Sequence, residues 1–356
     1  MKIAIIGSRG IPPNYGGFET AAYYIATYLA DKGEEVLVYC LSGLKDMEFN
    51  YRNIKRIFIP VIHKSSVEKL MLANISTFHA ILKEQVDVII LLGVQGNTSL
   101  PLVNLVKKKV IITFDGLEWK REKWNALGKG AFKFLEYIGA KLGTEFVADS
   151  KGIQEYLKDE YNIESNFIPY GTGNCDCNEQ DWKRVMEIAN IEKNRYFIVV
   201  GRNVPENNFE IIYKSFQSSN IDAKLVVVSD IQRHVEDNII FTGPIYDKTL
   251  LSSLRKNSLA YIHGHSVGGT NPSLLESISC NNRVIAYDVI FNREVLENYG
   301  LYFSDSEQLT AHINSVIKNT KKMPNSDEIK KYYKKITDKY YNWDSVGEKY
   351  YNLIKL

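Results

Sequence analysis

The chain has few cysteines, no long apolar run and almost no net charge, and each of these absences excludes a class of protein. Four cysteines in 356 residues suit a reducing, cytoplasmic location better than the disulfide framework of a small secreted domain. No stretch reaches the roughly 18 apolar residues that a membrane-spanning helix needs. A formal net charge of +2 lacks the basic excess of a nucleic-acid binder. We therefore expect a globular protein with no nucleic-acid partner.

Short apolar runs alternate with longer amphipathic ones, which is typical of βαβ units. Lys2–Gly7 predicts a strand, about Phe18–Asp31 a helix and Glu35–Cys40 the next strand. The run Val86–Leu92 is apolar almost throughout, as in strands that are covered on both faces. The pattern restarts at Tyr196–Gly201. At this length two domains are expected, so the sequence predicts an α/β fold with two doubly wound, Rossmann-like domains.

The domain boundaries follow from where this pattern stops and restarts. We predict a first Rossmann-like domain over residues 1–172 and a polar linker over 173–194. A second Rossmann-like domain would cover residues 195–335. The remaining residues, 336–356, are expected to form a helix that packs back toward the first domain.

Two glycine turns, each before a predicted helix, carry the functional signal. One consists of Gly268, Gly269, Thr270 and Asn271. A helix that starts near Pro272 offers backbone N–H groups and the positive end of its dipole to an anion such as a diphosphate. Glu276 can then accept hydroxyl groups beside that phosphate. The other turn, Gly16 and Gly17, follows the first strand, and we expect it to help bind the donor's diphosphate. The two turns then predict two half-sites that face each other across a cleft.

Several motifs, in a fixed order along the chain, give it a resemblance to a known family. They are Gly7–Glu19, Phe114–Arg121, Ile168–Gly171, Val200–Asn208 and His263–Glu276. Together they resemble the GT-B glycosyltransferases of family 4, and more closely a bacterial rhamnosyltransferase-like branch that assembles cell-surface polysaccharide. The resemblance implies a nucleotide-sugar donor on the second domain, an acceptor on the first domain and retention of anomeric configuration.

The resemblance also assigns donor-binding roles, with two departures from the family pattern. The family has an E-x7-E motif whose second Glu binds the ribose and whose first contacts the donor sugar. Glu276 matches the second Glu, but Gly268 stands at the first place, so we expect the backbone of the glycine turn to replace that contact. Of the family's Arg and Lys on the diphosphate, Arg202 is present and Asn207 replaces the lysine. Tyr246 is a candidate for contact with the base.

Asp115, Arg202 and Glu276 are the candidate catalytic residues. A guanidinium stays charged and matches phosphate geometry, so Arg202 suits the departing diphosphate. Asp115 follows an apolar predicted strand at its carboxyl end, where α/β folds place ligand groups. We expect it to bind or polarise the acceptor hydroxyl, and Glu19 and Glu118 are further acceptor-binding candidates.

We expect no metal and no cofactor other than the donor substrate. Cys175 and Cys177 resemble half of a metal site, but no second Cys or His pair has a matching spacing. No Asp-x-Asp run stands in a suitable context, and Arg202 with the helix amides can neutralise a diphosphate.

A basic and aromatic cluster is a candidate for membrane contact. It consists of Trp119, Lys120, Arg121, Lys123 and Trp124. Such a surface can rest on anionic headgroups, or it can be a solvated helix end whose tryptophans pack inward. We favour peripheral contact with the inner face of the cell membrane, because a polyprenyl-linked acceptor has to be reached at the bilayer.

The resulting hypothesis is transfer of L-rhamnose from dTDP-rhamnose to a lipid-linked saccharide in capsule or cell-wall polysaccharide assembly. The alternative within the fold is UDP-glucose or UDP-N-acetylglucosamine as donor. A dinucleotide-dependent oxidoreductase is disfavoured, because the first turn lacks Gly-x-Gly-x-x-Gly and no acidic residue ends the strand Val36–Cys40. A non-catalytic sugar-binding protein stays open because Gly268 and Asn207 depart from the family pattern.

Overall fold

The chain folds into two compact α/β units. A computed structural model describes residues 1–13, 16–62, 67–122, 124–231, 238–318 and 325–356. Unit 1 consists of Met1–Gly171 and Asn342–Leu356, and unit 2 is Thr172–Tyr341. Each unit is built on one parallel sheet, so the predicted fold class is confirmed.

Unit 1 contains a seven-stranded sheet. Its strands are β1 (Lys2–Ile6), β2 (Glu35–Leu41), β3 (Ile54–Ile59), β4 (Val88–Leu92), β5 (Lys109–Phe114), β6 (Glu145–Ala148) and β7 (Asn166–Phe167). Its first five helices are α1 (Gly17–Asp31), α2 (Glu68–Leu82), α3 (Leu100–Leu105), α4 (Ala126–Leu142) and α5 (Lys151–Tyr161). The order is β3-β2-β1-β4-β5-β6-β7. The direction of winding changes between β1 and β4, and ligands of such sheets bind at the carboxyl ends of these strands.

Unit 2 contains a six-stranded sheet. Its strands are β8 (Tyr196–Val200), β9 (Lys224–Val228), β10 (Ile239–Phe241), β11 (Ala260–His263), β12 (Val284–Tyr287) and β13 (Leu301–Phe303). Its helices are α6 (Glu179–Ala189), α7 (Phe209–Ser219), α8 (Lys248–Lys256), α9 (Pro272–Ser279), α10 (Ile290–Leu296), α11 (Ser306–Ile317) and α12 (Ser326–Lys339). The order is β10-β9-β8-β11-β12-β13. Here the winding changes between β8 and β11.

The last helix, α13 (Trp343–Lys355), belongs to unit 1 and packs on α1. The rings of Tyr24 and Trp343 stack with centroids 4.5 Å apart, and the Tyr350 hydroxyl lies 2.7 Å from Thr113 Oγ1. Where we predicted one helix over 336–356, the structure has a break after α12. Asn342 starts the new helix, because its side chain accepts a backbone N–H of the first turn.

The segment predicted as a linker, residues 173–194, differs from that prediction because it contains α6. Asn178 and Asp181 form a capping box at the start of this helix. Trp182 and Val185 are buried, and the helix packs on α8 within unit 2. Its other residues are mostly polar and exposed, so the average composition of the segment concealed an amphipathic helix.

One pair of cysteines is bonded, which the cysteine count did not lead us to expect. A disulfide joins Cys175 to Cys280, with Cα atoms 4.9 Å apart. Cys40 and Cys177 are outside this bond. The partners are 105 residues apart in the sequence, and such a pairing cannot be deduced from cysteine number or spacing.

Neither a membrane-spanning helix nor a metal cluster is found in the part of the chain that the structure describes. No helix there is both long and apolar enough to cross a bilayer. Across the same residues, no three His, Cys, Asp or Glu side chains are grouped where they could hold a metal ion.

Candidate functional site

The loops that follow β8 and β11 meet at one edge of the unit 2 sheet. The two strands are hydrogen-bonded neighbours, and the winding of the sheet changes between them. Arg202 follows β8, and the glycine turn Gly268–Asn271 follows β11. The fold therefore brings together the two parts of the predicted donor site, at the position where open α/β sheets bind ligands.

Asn207 holds these two loops together. Its amide nitrogen donates to the Arg202 carbonyl oxygen at 2.8 Å, and its amide oxygen lies 2.9 Å from Nδ1 of His265. A Cβ atom at Gly264 would lie 2.1 Å from the Asn207 carbonyl oxygen, so only glycine permits this approach. Both ends of the Asn207 amide are engaged within the protein, and its role in the structure is to bridge the loops.

The glycine turn leads directly into α9. Gly268 has a φ of +135°, which disfavours any residue with a side chain. Gly269 and Thr270 are buried. Asn271 caps the helix, because its side-chain oxygen accepts the Ser273 N–H at 2.9 Å. The positive end of the α9 dipole thus points to the edge of the sheet where Arg202 lies.

Glu276 lies in the second turn of α9, and its side chain is 46% exposed. One of its oxygens, Oε2, lies 2.7 Å from Nη2 of Arg255. Arg255 comes from α8, and its side chain is only 3% exposed. Arg255 was not among the predicted site residues, since an arginine near the end of an amphipathic helix is usually a surface residue. A weak signal was its place beside Leu254, a buried position.

Two further donor-site candidates are exposed. Arg202 is exposed, and its charge helps to lower the pKa of Asp230, after the larger effect of the hydrogen bond from the Asn203 N–H. The guanidinium therefore lies near the carboxyl end of β9 as well as β8. Tyr246 is also exposed and immediately precedes Asp247, the N-cap of α8.

In unit 1, the first glycine turn leads into α1, and a carboxylate of this helix accepts a hydrogen bond from the loop after β1. Gly16 is the N-cap residue of α1. Glu19 in the first turn of this helix is buried, and its Oε1 accepts the Arg9 N–H at 2.9 Å. Glu19 thus fastens the loop after β1, which is a structural role. Asn14 and Tyr15 of the same motif lie outside the described residues.

Asp115 follows β5 in unit 1 and is partly buried. Burial raises the pKa of its carboxyl to about 6, with Arg121 acting in the opposite direction. The Tyr170 hydroxyl donates to Asp115 Oδ2 at 3.3 Å. Tyr170 also lines a pocket together with Thr113 and Asp149, at the carboxyl ends of β5 and β6. Asp115 therefore contacts a residue that lines this pocket, and its carboxyl has a proton affinity suited to interaction with a hydroxyl.

Glu118 has internal partners on both carboxylate oxygens. Oε1 accepts the indole N–H of Trp124 at 3.1 Å, and Oε2 lies 2.8 Å from Nε of Arg121. An acceptor contact through Glu118 would have to displace one of these groups. Its position in the structure is that of an organiser of the loop between β5 and α4.

The two tryptophans of the basic cluster pack inward. The Trp124 ring lies 4.7 Å from that of Phe132, and the Lys133 ammonium lies 4.8 Å from the Trp119 ring centroid. Both tryptophans are partly buried, whereas Lys120 is exposed. Lys123 lies outside the described residues. The structure therefore favours the alternative in which the tryptophans fill space beneath α4.

Two family models match the chain. Residues 1–173 match "Domain of unknown function (DUF1972)", and residues 181–336 match "Glycosyl transferases group 1". The second match covers nearly all of unit 2, including both loops of the candidate donor site. No curated protein matches in a sequence comparison.

Solved structures resemble the chain over its whole length at low sequence identity. Sucrose-phosphate synthase from Thermosynechococcus elongatus has a TM-score of 0.83 at 16% identity, covering 99% of this chain and 98% of that one. Anabaena HepE in complex with UDP-glucose has a TM-score of 0.76 at 12% identity and full coverage of both chains. WaaG, a glycosyltransferase involved in lipopolysaccharide biosynthesis, has a TM-score of 0.73 at 13% identity, covering 99% of each.

These likenesses show the GT-B fold that was predicted. Residues 181–336 form a group 1 glycosyltransferase domain, and the protein is a glycosyltransferase, as the sequence analysis predicted. Membership of the rhamnosyltransferase-like branch stays a prediction.

Proposed function

We propose that the protein transfers a sugar from a nucleotide-sugar donor to a lipid-linked saccharide, with retention of anomeric configuration. The observation that carries this proposal is the start of α9, where Asn271 caps a helix directly after the glycine turn. The helix N-terminus suits a diphosphate, and the exposed face of Glu276 suits the ribose hydroxyls. The complex of Anabaena HepE with UDP-glucose supports a donor of this class.

We put dTDP-rhamnose first among the donors, because the motifs resemble rhamnosyltransferase-like enzymes. UDP-glucose is the second candidate, because HepE binds it and aligns with this chain over its full length. The test is thermal stabilisation by dTDP-rhamnose, UDP-glucose and UDP-N-acetylglucosamine, with NADH as the control. A ligand at about 100 times its Kd stabilises the folded state by about 2.7 kcal/mol. Stabilisation by NADH but by no nucleotide sugar would overturn the proposal.

The chemistry follows from the charges around the departing diphosphate. Arg202 and the α9 N-terminus present fixed positive charge where negative charge develops, and such preorganised groups usually supply the largest electrostatic contribution. The diphosphate can then accept the proton of the attacking hydroxyl on the face from which it leaves, which gives retention. We propose that no metal is required. Loss of turnover in EDTA that Mn²⁺ restores would show that this part is wrong.

We propose that unit 1 binds the acceptor and that Asp115 polarises the attacking hydroxyl. Its partly buried carboxyl has a pKa of about 6, so it is ionised at neutral pH and can accept a hydrogen bond. The Tyr170 hydroxyl fixes one of its oxygens. We assign the other oxygen to the acceptor hydroxyl.

We place the proposed membrane contact on the outer face of α4. Leu127 and Phe134 are 85% and 60% exposed, and they lie on one face because they are two helical turns apart. Lys141 lies two further turns along this face, and Lys129 lies elsewhere on the same helix, while the only carboxylate of the helix, Glu136, is buried. An apolar face flanked by cations suits an anionic bilayer, and each basic residue near the surface contributes about 1 kcal/mol. On this ground we propose that the enzyme acts at the inner face of the cell membrane.

Vesicle sedimentation tests this placement. We expect binding to vesicles that contain anionic phospholipid, weak binding to purely zwitterionic vesicles, and loss of binding in Leu127→Glu and Phe134→Glu. Phe78→Glu is the matched control, since Phe78 on α2 is also exposed. If the Phe78 variant lost binding and the two α4 variants kept it, the contact would lie elsewhere.

A further inference from the structure

Beneath the exposed face of α9 lies a guanidinium that is almost completely removed from solvent. Arg255 extends from α8 toward α9, and its Nη2 contacts Glu276 Oε2 at 2.7 Å and Ser273 Oγ at 3.0 Å. Arginine is almost never fully buried unless it is paired with a partner. Glu276 provides the opposite charge here, although its own side chain is half exposed.

Arg255 is held in place from several directions. Its carbonyl oxygen accepts hydrogen bonds from Asn282 Nδ2 at 2.6 Å and from Ser258 Oγ at 2.8 Å. Its partner Ser273 lies 2.9 Å, through Oγ, from the Tyr261 hydroxyl. Tyr261 is fully buried in β11. The backbone of Arg255 is therefore anchored to the turn after α8, and its guanidinium is linked through Ser273 to Tyr261 of the sheet.

This arrangement has a consequence for Glu276. A glutamate on an exposed helix face normally samples several rotamers, and binding a ligand costs the entropy of selecting one. The contact between Arg255 and Oε2 selects an orientation before any ligand arrives. Since Oε2 is used by the arginine, Oε1 is the carboxylate oxygen that remains for a ligand on this half-exposed side chain.

We propose that Arg255 is a positioning residue for the donor: it holds Glu276 so that the second carboxylate oxygen receives the ribose hydroxyls. This inference rests on the proposed function, in which Glu276 binds the ribose. Arg255 does not touch the nucleotide itself. Its contribution reaches the ligand only through Glu276.

The alternative is that Arg255 serves only the stability of the fold. The two roles differ in one measurable respect, which is whether the effect depends on the ribose hydroxyls. A stability role weakens the binding of every nucleotide equally, or of none. A positioning role weakens the binding of nucleotides that have ribose hydroxyls and leaves the binding of analogues without them unchanged.

The experiment is isothermal titration of wild type, Arg255→Met, Arg255→Lys, Glu276→Gln and the double variant Arg255→Met/Glu276→Gln. The probes are UDP and 2′,3′-dideoxy-UDP, which differ by two hydroxyls, with dTDP and its 3′-deoxy analogue, which differ by the 3′-hydroxyl alone, in parallel. We expect Arg255→Met to weaken UDP or dTDP binding about tenfold and to leave binding of the dideoxy analogues unchanged. In Glu276→Gln, the added Arg255→Met should cause no further loss, because residues that act as a unit are not additive. In turnover, KM for the donor should rise and kcat should change little.

Arg255→Lys keeps the charge but not the planar fork, so we expect an intermediate loss, and this variant serves if Arg255→Met does not fold. Arg184→Met is the matched control, since Arg184 also pairs with an acid in unit 2, Asp247 at 2.8 Å, and should bind as wild type does. Equal losses for UDP and its dideoxy analogue, or additive losses in the double variant, would overturn the positioning role. If wild type bound none of the four probes, the proposed function itself would fail, and this inference with it.

Discussion

Glu19 and Glu276 have the same local sequence pattern but differ in burial and in hydrogen-bond partners. Each lies near the start of a helix that follows a glycine turn at the end of a strand. Glu19 is buried, and its carboxylate accepts a hydrogen bond from the Arg9 N–H, which fixes the loop after β1. Glu276 is half exposed, and its carboxylate forms an ion pair with the buried Arg255. A glycine turn and a nearby carboxylate therefore do not by themselves define a ligand site, because the burial and the partners of the carboxylate also matter.

The difference between the two glutamates can be tested by removing each carboxylate in turn, and this test has the largest expected effect. Glu276→Ala should lower kcat/KM by about 10²–10⁴ with a UDP donor, because hydrogen bonds to a charged group contribute about 1.5–3 kcal/mol each and contacts to two ribose hydroxyls are lost. With a dTDP donor, whose deoxyribose has only the 3′-hydroxyl, the loss should be about 10–10². Glu19→Ala should instead lower the free energy of unfolding by about 1–3 kcal/mol and leave the Kd for the nucleotide unchanged. Donor titration and urea unfolding of both variants check this. A Glu276 variant with unchanged kcat/KM would remove the ribose contact.

Arg202 can be compared with Arg184, an arginine of similar exposure that lies far from the glycine turn in the sequence. Arg202→Ala should lower kcat by about 10²–10³, the usual effect of removing one group that stabilises a developing charge. Arg202→Lys should not restore the rate, because an ammonium lacks the planar fork. Arg184→Ala is the control and should turn over normally. Steady-state kinetics with saturating donor measures all three. Full activity of the Arg202 variants would leave only the helix N-terminus to stabilise the diphosphate.

The proposed role of Asp115 in unit 1 predicts how the rate depends on pH. Its pKa of about 6 lies above the ordinary aspartate value because burial disfavours the charged form. The ionised carboxylate is the form that accepts a hydrogen bond from the acceptor, so the rate should fall as pH drops through about 6. In Asp115→Asn the rate should be lower and this acid limb should disappear. An identical pH profile in the variant would exclude Asp115 from the step.

The smallest expected effect concerns Asn207, where the family has a lysine. Because the Asn207 amide bridges Arg202 and His265, restoring the family's residue should not help. We expect Asn207→Lys to destabilise the fold by about 1–2 kcal/mol, since both hydrogen bonds are lost, and to leave kcat unchanged or lower. Thermal unfolding and kinetics test this. A faster enzyme would show that Asn207 stands in a diphosphate subsite after all.

The regular elements could be predicted from the sequence because their signals are local. The apolar runs that became β1, β4 and β8 are nearly continuous, and Asn271 with Pro272 is a helix start that can be recognised without a structure. The prediction of α6 failed because only a few of its residues, such as Trp182 and Val185, are buried. A narrow apolar face of this kind is lost in the average composition of a segment.

The parts of the site that could not be predicted depend on distant partners. Arg255 and Glu276 belong to different helices, Asn207 reaches a loop more than fifty residues away, and the bond between Cys175 and Cys280 spans 105 residues. Local spacing does not report such contacts. The exposed face of α4 was not predicted either. The predicted membrane contact was the neighbouring cluster around Trp119 and Trp124, and these tryptophans pack inward.

The most direct test of the account is a structure of the protein with dTDP or UDP bound. We expect the diphosphate within hydrogen-bonding distance of the backbone N–H groups between Gly268 and Asn271, with the Arg202 guanidinium beside it. The ribose hydroxyls should lie on the Glu276 oxygen that does not contact Arg255. A nucleotide bound away from the amino end of α9 would contradict the assignment of the donor site.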